Sequence, residues 1–248
     1  MNLTGASVLI TGGRRVGGAL ALMLADRGAN VALTYHTSRD QIEATVAEVE
    51  SRQVRGLAIA ADLTHADQAE RAVERVAGSF GRLDVLVNMA SIYTRTPLDS
   101  LKPSDFDAMI AANLAAPYHT AIAAARIMRG QTARDGLKGK IVNVGDWATD
   151  RPYKDYLPYL AAKGGLTTFT LALAVELAPD VTVNMIQPAM IDPPSHLSDA
   201  ETQTVIEQIP LKRRGTPDDA NNLILYLLEG TDFATGGLYR IDGGRFLA

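Results

Sequence analysis

Residues 7–28, SVLITGGRRVGGALALMLADRG, decide the fold of this chain. Ser7-Val8-Leu9-Ile10 is a short β-rich run. It ends in the turn Thr11-Gly12-Gly13-Arg14-Arg15-Val16-Gly17-Gly18, and an Ala/Leu-rich helix follows from Ala19 to Arg27, closed by Gly28. Strand, glycine turn and helix in that order are the setting in which a backbone approaches a pyrophosphate. Glycines remove the side chains that would block the approach, and the helix amino terminus supplies amide donors and the positive end of its dipole. A glycine turn alone is a weak signal; its place after the first strand and before a helix gives it weight.

The next strand, Val31 to Tyr35, decides which dinucleotide fits. An acid at its end would grip a ribose 2′-hydroxyl and favour NAD. Here the chain reads Tyr35-His36-Thr37-Ser38-Arg39. With no acid to repel it, a 2′-phosphate suits these hydroxyls and the cations Arg14, Arg15 and Arg39. The expected cofactor is NADPH.

Further along, Gln41 to Ser51 is helical. Leu57 to Ala61 is a third strand ending at Asp62-Leu63, and Thr64 is placed to cap a helix that runs to about Phe80. Val85-Leu86-Val87 is a fourth strand, ending in Asn88-Met89-Ala90-Ser91. Pro103 to Arg129 is a long helical segment with Asn113 on an otherwise apolar face, where a buried amide needs partners. Ile141 to Val144 is a fifth strand, broken by Gly145. Val181 to Ile186 is a sixth, ending at Gln187-Pro188-Ala189. Asp218 to Glu229 reads as the last helix and Leu238 to Ile241 as the last strand. Strands alternating with helices predict an α/β fold: a single Rossmann-type doubly wound parallel sheet flanked by helices, one domain over residues 1–248. Ligands in such sheets bind at the carboxyl ends of the strands. The proline-interrupted segment Met190 to Lys212 suits a substrate lid or a simple connector.

Composition narrows the classes. The chain has 248 residues, 47% hydrophobic and 21% charged, enough for one large core. A net charge of -4 gives no basic footprint for nucleic acid. The absence of cysteine excludes disulfides and thiolate chemistry. The histidines at 36, 65, 119 and 196 lack metal-ligand spacing, so no metal is expected. No secretion signal is apparent, and no apolar run approaches a membrane span. The expectation is a cytoplasmic protein that acts on a small molecule, away from membranes.

The candidate chemistry lies in residues 146–163, DWATDRPYKDYLPYLAAK. Asp146 stands at the carboxyl end of the fifth strand. Pro158 fits the first turn of a helix whose apolar positions run through Leu160, Leu166, Phe169, Leu173 and Leu177. Tyr159 and Lys163, four apart, share one face of it. A phenol above an ammonium, facing an acid, is a proton-transfer constellation, and the ammonium is expected to draw the phenol's titration toward neutrality. A YxxxK pair by itself is more often a surface tyrosine beside a solvated lysine; the rest of the chain shifts that balance.

Taken together, these motifs resemble the short-chain dehydrogenase/reductase family over nearly the whole chain. The matching pieces are the TGG…G turn, Asp62-Leu63, Asn88-x-Ala90, Asn113, Tyr159-x-x-x-Lys163 and Pro188. The resemblance implies that Tyr159 donates the proton, that Lys163 lowers its pKa and binds the nicotinamide ribose, and that Asn113 supports a relay water. It implies that Asp62 contacts the adenine. Asn88, Ala90, Ser91 and the segment from Pro188 through Met190 would line the cofactor, with Gly12, Arg14, Arg15, Val16, Gly17, Tyr35, His36, Thr37, Ser38 and Leu63 holding the rest of it. A homotetramer is likewise implied.

Two departures stand out. The family turn is TGxxxGxG. Here either Val16 replaces the middle glycine and Gly18 is the last, or Gly17 is the last and the loop is one residue short; the distance from Gly17 to Gly28 favours the short loop. The usual catalytic serine is absent, and Asp146 takes its place thirteen residues before Tyr159. That aspartate, the Arg14-Arg15-Val16-Gly17 turn, Tyr35-His36 and the stretch from Asn88 to Leu98 resemble the pteridine reductases and dihydromonapterin reductases. In those proteins an aromatic ring at the position of Tyr93 stacks on the pterin. Trp147 reads as a core filler or as a further wall of the pocket.

Three functions are consistent with these residues. The first is an NADPH-dependent reductase of a pterin-like C=N bond, with Asp146 either accepting from ring N–H groups or, protonated, donating to a ring nitrogen. The second is an NADPH-dependent carbonyl or 3-oxoacyl-thioester reductase in which Asp146 is merely tolerated. The third is a non-catalytic cofactor-sensing protein, against which the retained Tyr159 and Lys163 count.

Overall fold

The computed structural model describes residues 1–192 and 197–248. The first strand, β1 (Ser7–Thr11), is buried at every position and pairs in parallel with β2 (Asn30–Tyr35) and β4 (Val85–Asn88). Beyond these lie β3 (Gly56–Ala60), β5 (Gly139–Val144), β6 (Val181–Pro188) and β7 (Leu238–Ile241), in the order β3-β2-β1-β4-β5-β6-β7. Every pairing is parallel. The order reverses between β1 and β4, and a crevice opens there beyond the strand ends.

Strand periodicity explains the two-sided core. Val8 and Ile10 of β1 enter one apolar cluster with α1 (Val16–Ala25), α2 (Arg39–Glu50) and α8 (Pro217–Leu225). Leu9, pointing the other way, enters a second with α3 (Ala66–Phe80), α5 (Ala116–Gly130) and α6 (Leu157–Leu177). Two buried faces require near-continuous apolar strands, as in VLI and VLV. Helix α4 (Pro103–Ile110) precedes α5, and α7 (Asp199–Glu207) lies within the segment after β6.

Three expectations are corrected here. The predicted 103–129 helix is interrupted by a π-turn at Ala111–Ala115. Pro117 has no N–H for the Asn113 carbonyl, so the ladder slips by one residue around Asn113. Thr64 does not cap α3: its hydroxyl donates to Asp62 Oδ1 at 2.6 Å, and His65 holds the cap position. The reading that no apolar run approaches a membrane span also fails. Leu157–Leu177 is long and apolar enough to cross a membrane by length and composition, yet in this fold it packs against β6 and buries Tyr159 and Lys163. The expected lid spans residues 193–196, which lie outside the described residues; on either side of them, Met190, Ile191, Leu197 and Val205 border the crevice.

Candidate active site

A cleft of about 1170 Å³ runs along the carboxyl ends of the strands. Gly12 starts its floor. With φ +73°, a Cβ there would lie 2.7 Å from Ala90 Cα, so only glycine lets the ends of β1 and β4 close up. Helix α1 begins at Val16, directly after Arg15, a non-glycine residue at φ 48°. Gly17 then sits in its first turn, where a Cβ would meet Gly12 O at 2.7 Å. This is the short-loop arrangement. No side chain caps α1; the Gly17 amide donates back to Arg14 O at 3.1 Å, and the positive end of the helix dipole lies at this turn. The cradle fits a dinucleotide pyrophosphate.

Arg14, Arg15, Val16, Tyr35, His36, Thr37 and Ser38 border the same end of the cleft. Arg15 reaches Asp192 through an ion pair, whereas Arg14 has no such carboxylate among the described residues. Arg39 is not part of this group; it bonds Glu43 along α2 at 2.8 Å. Asp62 and Leu63 border the cleft next to it, and the Thr64 hydroxyl and amide hold the Asp62 carboxyl below its usual range.

Asn88 lies behind the cleft wall, not on it. It is 3% exposed; its amide donates to Asn143 Oδ1 at 3.0 Å, and Thr120 donates to its Oδ1 at 2.7 Å. The Thr11 hydroxyl accepts the amides of Met89 and Ala90 at 3.1 and 3.2 Å. This buried network ties together the ends of β1, β4 and β5, and it is Ala90 and Ser91 that reach the cleft. Asn113 is likewise a wall support. It is fully buried, accepts from Ser91 Oγ at 2.6 Å and donates to Ile92 O at 3.0 Å. Through these two bonds its side chain holds that loop.

The proton-transfer group assembles as its spacing suggests, with a different electrostatic outcome. Tyr159 OH donates to Asp146 Oδ2 at 2.7 Å. Asp146 Oδ1 accepts the Ala148 amide at 2.8 Å, which fixes the carboxyl over the short turn Trp147–Thr149. Lys163 Nζ donates to Val144 O at 2.8 Å, with Nζ 5.8 Å from the Tyr159 ring centroid. The phenol is therefore not drawn toward neutrality. Burial, and then the charge of Asp146, push Tyr159 well above its usual value. Burial pushes Lys163 down to about 8, opposed by Asp146, and pushes Asp146 up. The tyrosine is a protonated acid aimed at Asp146.

Aromatic rings enclose this group. Tyr93 stacks on Tyr156 at 4.4 Å and meets Tyr159 edge-on at 4.8 Å. Its hydroxyl pairs with that of Tyr153 at 3.0 Å, and Trp147 lies 6.2 Å from the Tyr153 ring. Burial pushes the phenols of Tyr93 and Tyr153 up, so both stay protonated. Tyr153 and Tyr156 escaped the sequence reading, although their spacing with Tyr159 was a signal that three rings could meet. Pro188 and Met190 close the cleft beyond β6, and Arg245 reaches it from the chain end. Among the described residues, no cluster of histidine and acids could hold a metal.

Comparison with known proteins places this geometry. A family model described as enoyl-(acyl carrier protein) reductase matches residues 13–245. The 3-oxoacyl-(acyl-carrier-protein) reductase FabG of Staphylococcus epidermidis is 32% identical over 97% of this chain and 99% of its own. The chain is a short-chain dehydrogenase/reductase. As such it is a nicotinamide-dependent oxidoreductase, which removes the non-catalytic reading. The cyclohexanol dehydrogenase of a Rhodococcus species is 35% identical over 98% of this reductase and 96% of its own length. Among solved structures, a short-chain dehydrogenase from Burkholderia cenocepacia in complex with NADP is 34% identical, with a TM-score of 0.89 over 99% of each chain. A short-chain dehydrogenase/reductase from Serratia marcescens is 30% identical with a TM-score of 0.90, over 99% of this reductase and all of its own chain.

Proposed function

We propose that this enzyme is an NADPH-dependent reductase of a C=N bond in a planar, pterin-like nitrogen heterocycle. The observation that carries the reading is the bond from Tyr159 to Asp146 at the centre of a tyrosine-lined cleft. When bound, the nicotinamide supplies a hydride. The chain must then deliver a proton to the nitrogen and hold the ring. Tyr159 carries a proton at neutral pH, and a buried carboxylate beside it accepts ring N–H groups that a serine would match poorly. The rings of Tyr93, Tyr153 and Trp147 offer flat apolar surface to a heterocycle. The absence of an acid after β2, with Arg14 at that end of the cleft, supports NADPH over NADH, as does the NADP complex of the Burkholderia relative.

The relatives favour a second reading, reduction of a carbonyl such as that of a 3-oxoacyl thioester. An ionised Asp146 would repel the developing oxyanion. The second reading thus needs a protonated Asp146, the direction in which burial pushes it. NADPH oxidation assays with dihydrobiopterin, dihydrofolate and a 3-oxoacyl thioester separate the two. Turnover of a dihydropterin supports the first reading; turnover of the thioester alone rejects it.

A further inference from the structure

We infer that Arg151 and Arg245 form a guanidinium pair that binds an anionic group, carboxylate or phosphate, on the part of the substrate away from the reacting bond. The inference rests on the reading of this half of the cleft as the substrate side, without depending on which double bond is reduced.

Both arginines border the cleft together with Trp147, Tyr153 and Gln208. This half is built by the segments after β5 and β6 and by the chain end. The pyrophosphate cradle, Arg14 and His36 belong to the half built by β1 and β2. A cation here therefore has no part in reading the 2′-phosphate.

The pair is held in place by neutral partners. Arg245 donates to the carbonyl of Gln208 at 3.3 Å and to its side-chain oxygen. Its guanidinium lies 5.4 Å from the Trp147 ring centroid, and Trp147 adjoins Asp146 in the chain. Arg151 donates to Phe246 O at 2.8 Å and to Arg245 O at 3.4 Å, which pins the turn that carries Arg245. Each fork keeps further N–H donors beyond these bonds.

Neither guanidinium has a carboxylate within ion-pair distance among the described residues. The acids close to them in sequence are engaged elsewhere. Asp150 pairs with Arg240 at 2.6 Å, and Asp242 accepts the amides of Gly244 and Phe246 at 2.9 and 2.8 Å. Burial and the neighbouring Arg151 charge hold Arg245 below the usual arginine range, so the two cations feel each other. Two like charges gathered at a half-enclosed aromatic wall lose free energy that an incoming anion restores, and arginine forks match the oxygens of carboxylate and phosphate. A substrate that suits this half of the cleft has a flat or apolar part against Trp147 and an anion next to it.

The test is a direct binding measurement, independent of turnover. Isothermal titration of the NADP⁺-loaded enzyme would compare 4-aminobenzoyl-glutamate with its uncharged diamide, and phenyl phosphate with phenol. The expected result is at least about fivefold tighter binding of an anionic member than of its neutral twin, a preference that falls with added salt. In the Arg151→Gln/Arg245→Gln double variant, checked for an unchanged melting temperature, that ratio should fall toward one. If the double variant fails to fold, the single Arg245→Gln variant carries the same comparison. A preference for the dicarboxylate over the phosphate, or the reverse, tells which anion the pair reads. Equal binding of charged and neutral twins, or an undiminished ratio in the variant, overturns the proposal and leaves two solvated arginines. Failure of dihydropterin turnover with the charge preference intact would reject the C=N reading and leave the arginine site standing.

Discussion

Asp146 accepts the hydroxyl proton of Tyr159 at 2.7 Å, while Lys163, one helical turn on from that tyrosine, is turned to the Val144 carbonyl. After burial, it is the acid and not the ammonium that sets the phenol's titration. In a dry site a carboxylate one hydrogen bond away opposes phenolate formation more strongly than an ammonium lying across the ring face favours it.

Tyr159→Phe removes the proposed proton donor and leaves the ring packed against Tyr93. Turnover is expected to fall by ~10²–10⁴, with NADPH binding retained. Near-wild-type kcat in this variant, measured by NADPH oxidation, would show that the proton comes from another group.

Asp146→Ser exchanges the carboxylate for a hydroxyl. For a pterin substrate, ring donors lose their partner, at a cost of about 1–3 kcal/mol in transition-state binding. Activity on simple ketones should improve, since a donor then replaces a negative charge near the oxyanion. Loss of the Asp146 charge should also move the Tyr159 limb of the kcat–pH profile to lower pH, because that charge helps to hold the phenol up. An unmoved limb with unchanged substrate preference would remove Asp146 from the chemistry.

Lys163 gives the free enzyme a pH limit. Burial holds it at about 8, so it is an ammonium below that pH and a neutral amine above. If its charge helps to bind the cofactor, kcat/KM for NADPH should be level below pH about 8 and fall above it. A profile level up to the ordinary lysine range near pH ~10 would show that cofactor binding does not depend on an ammonium lost at about 8.

Arg14→Ala/Arg15→Ala should reduce the kcat/KM preference for NADPH over NADH on the order of tenfold, the worth of a charge-assisted hydrogen bond to a phosphate. A wild-type enzyme that prefers NADH would end the NADPH assignment.

Trp147 is the only tryptophan, so its emission reports this wall alone. A saturating dihydropterin should quench it; an unchanged spectrum at saturation would place the substrate elsewhere in the cleft.

The order of the elements was legible in the chain because each carries its own local signal. VLI and VLV runs need two apolar layers, glycine at position 12 must allow a positive φ, and Pro158 opens α6. Tyr159, Lys163 and Asp146 were legible as a group because helix spacing and a strand end put them on one face. What local pattern does not carry is direction and environment. Asn88 and Asn113 stand in the right segments, yet their amides turn inward, since a fully buried amide must bond to what surrounds it. The charge state around Tyr159 depends on burial and on a 2.7 Å contact between residues thirteen apart. Arg245 had no signal at all: only the folding of the chain end onto Gln208 and Trp147 brings it to the cleft. Spacing along a helix or strand follows from covalent geometry and can be read from the sequence. Burial, hydrogen-bond partners and pKa are set by atoms distant in the chain, and only the tertiary structure decides them.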